Sequence, residues 1–330
     1  MPTITPDPIM QLLGGLLAAK YLLVANEFAV FAHLAQGPAT LDELAAQTQV
    51  PPRTLRLLLD ALVAIQLLDR HDDHYHNSPV TAAFLSGGAG PDLRPIVRLW
   101  NHVVYPQWLQ FDAALQTDQP TFGFGHFTDD QRRIFAEGVA ALTAPAAQAL
   151  AATYDFGRHQ RLLDLGGGTG SFVREILRQY PALQATLLDL PATAALLRQQ
   201  LAAEADAPPL TILEGNMLED PLPAGYDAIL LANVVHLFAP PRNRRLWQRL
   251  RAVSAPAARL LLVDFWTDPT HTQPTFAALL AGEFQIVTGE GDVYSVEEVT
   301  SWLRASGWQV LAHTPLAGAA SLIVAAPLAA

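Results

Sequence analysis

The chain has 330 residues, of which 51% are hydrophobic, and its formal net charge is −11 at pH 7. This length and composition are typical of a globular protein with room for two cores, and they exclude a disordered chain. Lys20 is the only lysine and no basic block occurs, so the sequence lacks the positive surface that nucleic acids and anionic membranes require. The absence of cysteine excludes disulfides and thiolate metal sites, and it agrees with a cytoplasmic location, which we take as the default.

The first apolar segment runs from Ile9 to Val30. It differs from a secretory signal because it has no basic start and is interrupted by Lys20 and Glu27. Its pattern predicts an amphipathic helix, and no other run of about 18 uncharged apolar residues follows. We therefore expect a soluble protein without a membrane partner.

Residues 39–84 have the pattern of two helices followed by a small hairpin. Thr40 and Glu43 form a capping box at the first helix, and two short strands are expected around residues 67–68 and 74–75. This order is the winged-helix plan, whose usual association is DNA binding. Between residues 41 and 90, however, three arginines stand against six acidic residues, which is the wrong balance for phosphate contacts. We favour a dimerisation module, and a DNA-reading regulator remains the alternative.

Residues 91–157 are predicted to be helical and are rich in aromatic side chains. We expect most of these rings to belong to the core of a helical connector. A minority of them would line an apolar pocket, because aromatic walls suit planar ligands.

The segment from Arg161 to Phe172 predicts a strand, a glycine turn and a helix, an arrangement typical of a nucleotide-type cofactor site. Asp189 ends the next predicted strand and is the candidate acceptor for ribose hydroxyls. A dinucleotide fingerprint requires glycine or alanine at position 171, where this chain has Ser171. The spacing of glycines at 166, 168 and 170 instead favours S-adenosylmethionine (SAM). A tight loop in some other α/β protein is the alternative.

After Gln160 the chain alternates between predicted strands and helices, which indicates a doubly wound sheet. The strands are expected near residues 161–165, 185–189, 210–213, 226–232 and 258–265, with two closing strands at 309–313 and 320–325. Ligands of such sheets bind beyond the carboxyl ends of the strands. The polar residues expected at or just after these ends are Asp164, Asp189, Asn216, His236 and Asp264.

Five motifs in this order carry a family resemblance: LLDLGGGTG (162–170), LLDLP (187–191), EGNML (214–218), DAILLANVVHLF (227–238) and LLLVDF (260–265). Behind a winged-helix segment, they resemble the plant caffeate and flavonoid O-methyltransferases and their bacterial natural-product relatives. The resemblance implies an α/β protein in three parts. These are a mostly helical winged-helix dimerisation domain (1–95), a helical connector that contributes to the substrate pocket (96–157), and a Rossmann-like SAM-binding domain (158–330).

The same resemblance implies a set of cofactor-binding residues. They are Asp164, Gly166, Gly167, Gly168, Gly170, Asp189, Leu190, Asn216, Met217 and Asn233. The methionine end of SAM would lie against the glycine turn, the ribose on Asp189, and the adenine near Asn216 and Met217. Asn216 replaces the usual aspartate, but its amide oxygen can still accept a hydrogen bond. Ala232 replaces a lysine that contacts the cofactor in many plant enzymes.

His236 falls on the catalytic-base position of the family, and Asp264 is its expected partner. A neutral imidazole suits removal of the acceptor's proton during an in-line methyl transfer. The chain departs from the plant pattern in having Leu237 and Phe238 where an acid and a tryptophan follow the histidine, and Val293 where a second acid is expected. Glu290 and Asp292 lie close to that position in sequence.

Three further histidines, His102, His126 and His313, are titratable candidates for the surface or a pocket wall. None has metal-ligand spacing with another histidine or acid, so we expect no metal.

The resulting prediction is a homodimeric SAM-dependent O-methyltransferase that forms S-adenosylhomocysteine (SAH) as product. Its acceptor would be a hydroxyl of an apolar, aromatic or polyketide-like small molecule. Because a fold does not fix its chemistry, a SAM-binding hydroxylase, decarboxylase or pericyclase is one alternative, and a C- or N-methyltransferase is another. The sequence does not define the acceptor itself.

Overall fold

The computed structural model describes residues 4–88, 90–123 and 127–328. By its contacts the chain divides into two compact units, one of residues 1–106 and 128–142 and one of residues 107–127 and 143–330.

The first unit is mostly helical and contains a small antiparallel sheet. Its elements are α1 (Asp7–Glu27), α2 (Val30–Leu34), β1 (Ala39–Thr40), α3 (Leu41–Thr48), α4 (Pro52–Ala64), β2 (Leu68–His71), β3 (His74–Asn77), α5 (Pro79–Phe84) and α6 (Arg94–Leu99). The strands lie in the order β1-β3-β2. The predicted capping box is present, because Thr40 accepts from the Glu43 backbone and Glu43 accepts from the Thr40 backbone. Helix, turn, helix and hairpin thus follow the predicted winged-helix order.

Helix α1 confirms the helix predicted from residue 9 onward, but its first half is not a buried amphipathic face. Six large apolar residues of α1 are more than half exposed, namely Ile9, Met10, Leu12, Leu13, Leu16 and Leu17. Within the helix only Leu23 and Ala25 are buried. The helix therefore presents an apolar surface that the single chain leaves uncovered.

The second unit is built around a seven-stranded sheet. Its elements begin with α7 (Tyr105–Trp108), α8 (Phe111–Thr117) and α9 (Asp129–Thr153), and both α7 and α9 also contribute residues to the first unit. They continue with β4 (Arg161–Leu165), α10 (Ser171–Gln179), β5 (Gln184–Asp189), α11 (Pro191–Ala202), β6 (Leu210–Glu214), β7 (Ala228–Ala232), α12 (Pro240–Val253), β8 (Arg259–Phe265), α13 (Thr275–Thr288), α14 (Val296–Ala305), β9 (Trp308–Pro315) and β10 (Ala320–Pro327).

The strand order of this sheet is β6-β5-β4-β7-β8-β10-β9. Strands β4 to β8 pair in parallel, and β10 pairs antiparallel with both β8 and β9. The chain moves outward from β4 to β6 and then returns to place β7 on the other side of β4. The order therefore reverses at β4, where open α/β sheets bind their ligands.

The core of the second unit covers both faces of the sheet, as the period of two in each strand requires. On β4, Leu162 packs into the cluster that includes helix α10, whereas Leu163 and Leu165 pack into the cluster that includes helix α12. Asp164 shares the face of Leu162 and is a polar side chain in an otherwise apolar strand interior.

Two helices in the described part of the chain, α1 and α9, have the length and apolar composition of a membrane span. Such a pair is weak evidence for a membrane protein, because core helices of soluble proteins share these properties.

Candidate cofactor and catalytic site

The glycine turn after β4 depends on backbone conformations that favour glycine. Gly166, Gly168 and Gly170 have φ values of +70°, +57° and +72°. The Gly166 N–H donates to the Leu188 carbonyl at 2.8 Å, which ties the turn to the end of β5. Apart from Gly168 itself and its two chain neighbours, no heavy atom lies within 4 Å of the point where a Cβ of Gly168 would stand. The turn therefore leaves open space against its main chain, as a ligand requires.

Asp164 lies beneath this turn and is 1% exposed. Neither of its carboxylate oxygens has a hydrogen-bond partner. A Cβ on Gly167 would come within 2.5 Å of Oδ2 of Asp164, so the turn passes directly over this carboxyl group. Burial raises the pKa of Asp164 to about 8, and the negative charge of Asp189 adds to the rise.

Asp189 ends β5 and faces the same turn. Its Oδ2 accepts from the Gly168 N–H at 2.8 Å, and its Oδ1 accepts from the Leu190 N–H at 2.7 Å. Burial raises the pKa of Asp189, and these two backbone donors together with the Thr193 hydroxyl oppose that rise. The structure thus joins the acid predicted to hold the ribose to the glycine turn predicted to hold the methionine portion.

The remaining predicted cofactor residues lie at the ends of neighbouring strands. After β6, Asn216 Oδ1 accepts from the Leu218 N–H at 2.9 Å. The Met217 methyl group comes within 2.8 Å of the point where a Cβ of Gly166 would stand. Leu190 is 52% exposed, and Asn233, after β7, has a φ of +57°.

His236 lies in a single 3₁₀ turn (Val235–Leu237) after β7, and Asp264 lies near the end of the adjacent strand β8. His236 Nδ1 and Asp264 Oδ1 are 2.5 Å apart. Asp264 is fully buried and also accepts from the backbone N–H groups of Val235 at 3.0 Å and Phe265 at 2.9 Å. An ionised Asp264 would hold the proton of the imidazole on Nδ1, which leaves a lone pair on Nε2.

Aromatic rings enclose the imidazole of His236. Phe284 of α13 stacks on it with ring centroids 3.8 Å apart, and Phe265 lies at 6.2 Å. The side chain of His236 is 8% exposed. The loop after α13 also contacts the histidine turn, because the Asp292 N–H donates to the His236 carbonyl at 3.1 Å. The segment 274–293 thus meets the candidate base.

Asn243 is a functional candidate that the sequence reasoning missed. This side chain of α12 is fully buried, and its Nδ2 donates to the carbonyls of Val235 and Phe238, both at 2.8 Å. It therefore binds carbonyls of the same turn whose N–H groups donate to Asp264. A signal was available, because Asn243 is the one polar residue on a helix face otherwise formed by Leu246, Trp247 and Leu250.

The other titratable histidines are not brought to this site by any described contact. His102 pairs with Glu27 in the first unit, and His313 bonds to Ser321. His126 lies outside the described residues. Within the described ranges, no group of three or more histidine or acidic side chains has the geometry of a metal site.

The residues present fit a sulfonium-bearing nucleoside such as SAM. The open main chain of the turn can receive the amino-acid portion, and a carboxylate stands at the strand end where a ribose is held in such folds. The buried carboxyl of Asp164, which has no donor of its own, suits a ligand that carries positive charge.

Comparisons with known proteins agree with this architecture. Residues 108–309 match the family model of the O-methyltransferase domain, and residues 10–87 match the O-methyltransferase dimerisation domain. A 3-hydroxy-5-methyl-1-naphthoate 3-O-methyltransferase from Streptomyces sahachiroi is 30% identical over 92% of this chain and 89% of its own length. The N,N-dimethyltransferase OxyT from Streptomyces rimosus is 28% identical over 94% of this chain and 92% of its own length.

Among solved structures, PigF with bound SAH superposes with a TM-score of 0.86 at 27% identity, over 97% of this chain and 99% of that one. The fold is therefore shared over nearly the whole length of both chains with a protein whose structure contains SAH.

Proposed function

Because the chain belongs to the O-methyltransferase family and is a SAM-dependent methyltransferase, we propose that its acceptor is a hydroxyl group of an aromatic, polyketide-like small molecule. The observation that carries the proposal is the buried pair of His236 and Asp264 at the carboxyl edge of the sheet. The aromatic side chain of Phe284 beside that pair favours a planar, apolar acceptor. The naphthoate acceptor named for the Streptomyces relative supports this class.

The bound SAM would supply an activated methyl group on its sulfonium. The protein then has to hold the acceptor in line with that group and remove the hydroxyl proton. We propose that His236 takes this proton at Nε2, while Asp264 fixes the tautomer through Nδ1 and stabilises the imidazolium. Phe265 and Phe284 would exclude water around the imidazole.

We propose that the cofactor residues predicted from the family resemblance bind SAM. The turn from Gly166 to Gly170 and Asp164 would hold the methionine portion, and Asp189 with Leu190 would hold the ribose. Asn216 and Met217 would hold the adenine, and Asn233, which follows β7, would form part of the wall of the cofactor site.

The test is replacement of His236 by alanine. We expect the rate of SAH formation with a hydroxynaphthoate probe to fall by about 10²-fold or more, while calorimetry still detects SAM binding. A matched control is His313→Gln, because His313 lies on β9 and bonds to Ser321. Wild-type turnover by the folded His236→Ala variant would refute the proposed base.

A second candidate function is N-methylation, which the similarity to OxyT favours. The probe for it is an aminonaphthalene, and the product is identified by mass spectrometry. Methylation of the amine but not of the hydroxynaphthoate would replace the O-methyl proposal. A member of the fold that does not transfer methyl groups would convert its substrate without forming SAH.

We further propose a soluble, cytoplasmic homodimer with no nucleic-acid or membrane partner. Residues 1–95 would form the dimerisation domain, 96–157 the connector and 158–330 the SAM-binding domain. The exposed apolar half of α1 supports this proposal, because its matched domain is a dimerisation domain and a second copy would cover that surface. Replacing Leu13 and Leu16 by aspartate should yield monomers in analytical ultracentrifugation. A dimer that persists would refute the role of α1.

A further inference from the structure

The cofactor site contains two carboxyl groups with very different surroundings. Asp189 accepts two backbone N–H groups, which stabilise its charge. Asp164, on the adjacent strand, is 1% exposed and accepts no hydrogen bond at either oxygen. An ionised carboxylate without donors or water is costly to bury, whereas a protonated one is tolerated.

The strands on either side of Asp164 offer no positive charge to it. It pairs with Leu187 on β5 and with Leu230 on β7. The ionisable group that acts on it is Asp189, which is negative when ionised, and burial together with this charge raises the pKa of Asp164 to about 8. The protonated form of Asp164 should therefore predominate in the free protein at neutral pH.

The ligand of this site changes its charge during the reaction. SAM bears a sulfonium and its product SAH bears a neutral thioether, while the amino-acid and nucleoside portions are the same in both. The turn at Gly167 lies directly over Oδ2 of Asp164, and Leu187 fills the space beside it. A cation seated on this turn would act on Asp164 through main chain and apolar side chains, where screening by water is weak.

We propose that Asp164 is protonated in the free protein and ionises when SAM binds, so that it distinguishes the sulfonium of the cofactor from the neutral thioether of the product. On binding, the O–H bond of the carboxyl group breaks, the proton passes to the solvent, and the carboxylate remains to balance the sulfonium. SAH carries the same α-ammonium but lacks the sulfonium charge, so it favours the ionised form of Asp164 less than SAM does and releases fewer protons. The inference rests on the family's use of SAM and is independent of the acceptor and of His236.

The affinity for SAM should depend on pH, because binding of SAM is coupled to the release of a proton from Asp164. A ligand whose binding releases a proton binds more tightly as the pH rises. Suppose that SAM binds the form with ionised Asp164 tenfold to hundredfold more tightly than the form with protonated Asp164. The ratio of SAM affinity to SAH affinity then rises about 5- to 25-fold between about pH 6 and about pH 8. The same tenfold to hundredfold preference predicts that SAM binding near pH 7 releases about 0.4 to 0.8 protons per molecule of protein. Contacts common to both ligands, including that of Asp189 with the ribose, cancel in this ratio.

The first experiment uses the wild-type protein. Isothermal titration calorimetry with SAM and with SAH, each in two buffers of different ionisation enthalpy, counts the protons released on binding. We expect SAM to release more protons than SAH. Equal proton release by the two ligands would overturn the inference, whereas a complete absence of binding heat with both would instead contradict the use of SAM by this chain.

The second experiment uses Asp164→Asn, which keeps the size of the side chain but cannot ionise. We expect the pH dependence of the SAM-to-SAH affinity ratio to disappear in this variant. It should persist in Glu219→Gln, which removes an exposed carboxylate from the turn after β6. An unchanged pH dependence in folded Asp164→Asn would also overturn the inference, and the wild-type calorimetry still decides the question if that variant does not fold.

Discussion

Replacing Asp264 by asparagine should separate the catalytic use of His236 from the folding of its turn. The carboxylate accepts from four N–H groups, two at each oxygen. Oδ2 accepts from the backbone of Val235 at 3.0 Å and of His236 at 3.4 Å. Oδ1 accepts from Phe265 at 2.9 Å and from the His236 ring at 2.5 Å. An asparagine places an NH₂ group, which cannot accept, at one of these two positions.

The two orientations of the asparagine amide differ in cost. With NH₂ at the Oδ2 position, two backbone donors lose their acceptor, at about 1.5–3 kcal/mol each. With NH₂ at the Oδ1 position, only the Phe265 N–H loses its acceptor, because neutral His236 can itself accept at Nδ1 in the other tautomer. The second orientation should therefore prevail, and it costs about 2–3 kcal/mol of unfolding free energy. It also moves the ring proton to Nε2, which removes the lone pair that would take the acceptor's proton.

We expect Asp264→Asn to remain folded and to bind SAM, while SAH formation with the hydroxynaphthoate probe falls by about 10²- to 10⁴-fold. Urea unfolding measures the stability, and ¹⁵N NMR of labelled histidine reports the tautomer. Asp268→Asn serves as the control, because this nearby carboxylate caps a surface loop by accepting from the backbone of Thr272 and Gln273. A folded Asp264→Asn enzyme with wild-type turnover, or with the proton still on Nδ1, would refute the reasoning.

Three further changes test other parts of the site. Gly167→Ala should lower the unfolding free energy by about 1–3 kcal/mol and weaken SAM binding in calorimetry, because the new Cβ would lie 2.5 Å from Asp164 and from Leu187. An unaltered unfolding free energy would contradict the packing described for this turn. Asn243→Ala should lower the free energy of unfolding in urea by about 2–3 kcal/mol, because the carbonyls of Val235 and Phe238 lose their donor at 2.8 Å. A loss smaller than that of the surface change Gln199→Ala would argue against a stabilising role of these two hydrogen bonds. Burial raises the pKa of Glu283 from 4.5 to about 7, so the folded state binds this proton more tightly than the unfolded state and loses stability as the pH rises through that range. Glu283→Gln should therefore gain roughly 1–3 kcal/mol over wild type at about pH 8 and little at about pH 4, and an equal gain at both would show that the proton is not involved.

The sheet and the cofactor turn could be predicted because their signals are local. The apolar strand, the glycines with left-handed backbone and the acid at the next strand end all lie within residues 161–189, and the predicted strands agree with those observed to within about two residues. The pairing of His236 with Asp264 followed from topology, because β7 and β8 are adjacent parallel strands whose ends meet at one edge.

The surroundings of His236 and the exposure of α1 could not be predicted, because they depend on contacts between segments distant in sequence or between chains. Phe284 reaches His236 from α13, and Asn243 reaches the carbonyls of the same turn from α12. A helical period predicts which face of a helix is buried but not which side chain of another element it meets. The sequence predicted an amphipathic helix for α1, but an apolar stripe does not tell whether it is covered by its own chain, and the first half of the helix is exposed.

The turn that carries His236 is fixed from several sides, since β8 binds its N–H groups through Asp264, α12 binds its carbonyls through Asn243, and Tyr294 donates to Phe238. Helix α13 touches the imidazole mainly through one aromatic ring. Engineering of new acceptor scope should therefore begin with mutant libraries on the inner face of α13, at Phe284 and Leu280. If the turn itself were randomised, many variants would misfold, and their selectivity could not be measured.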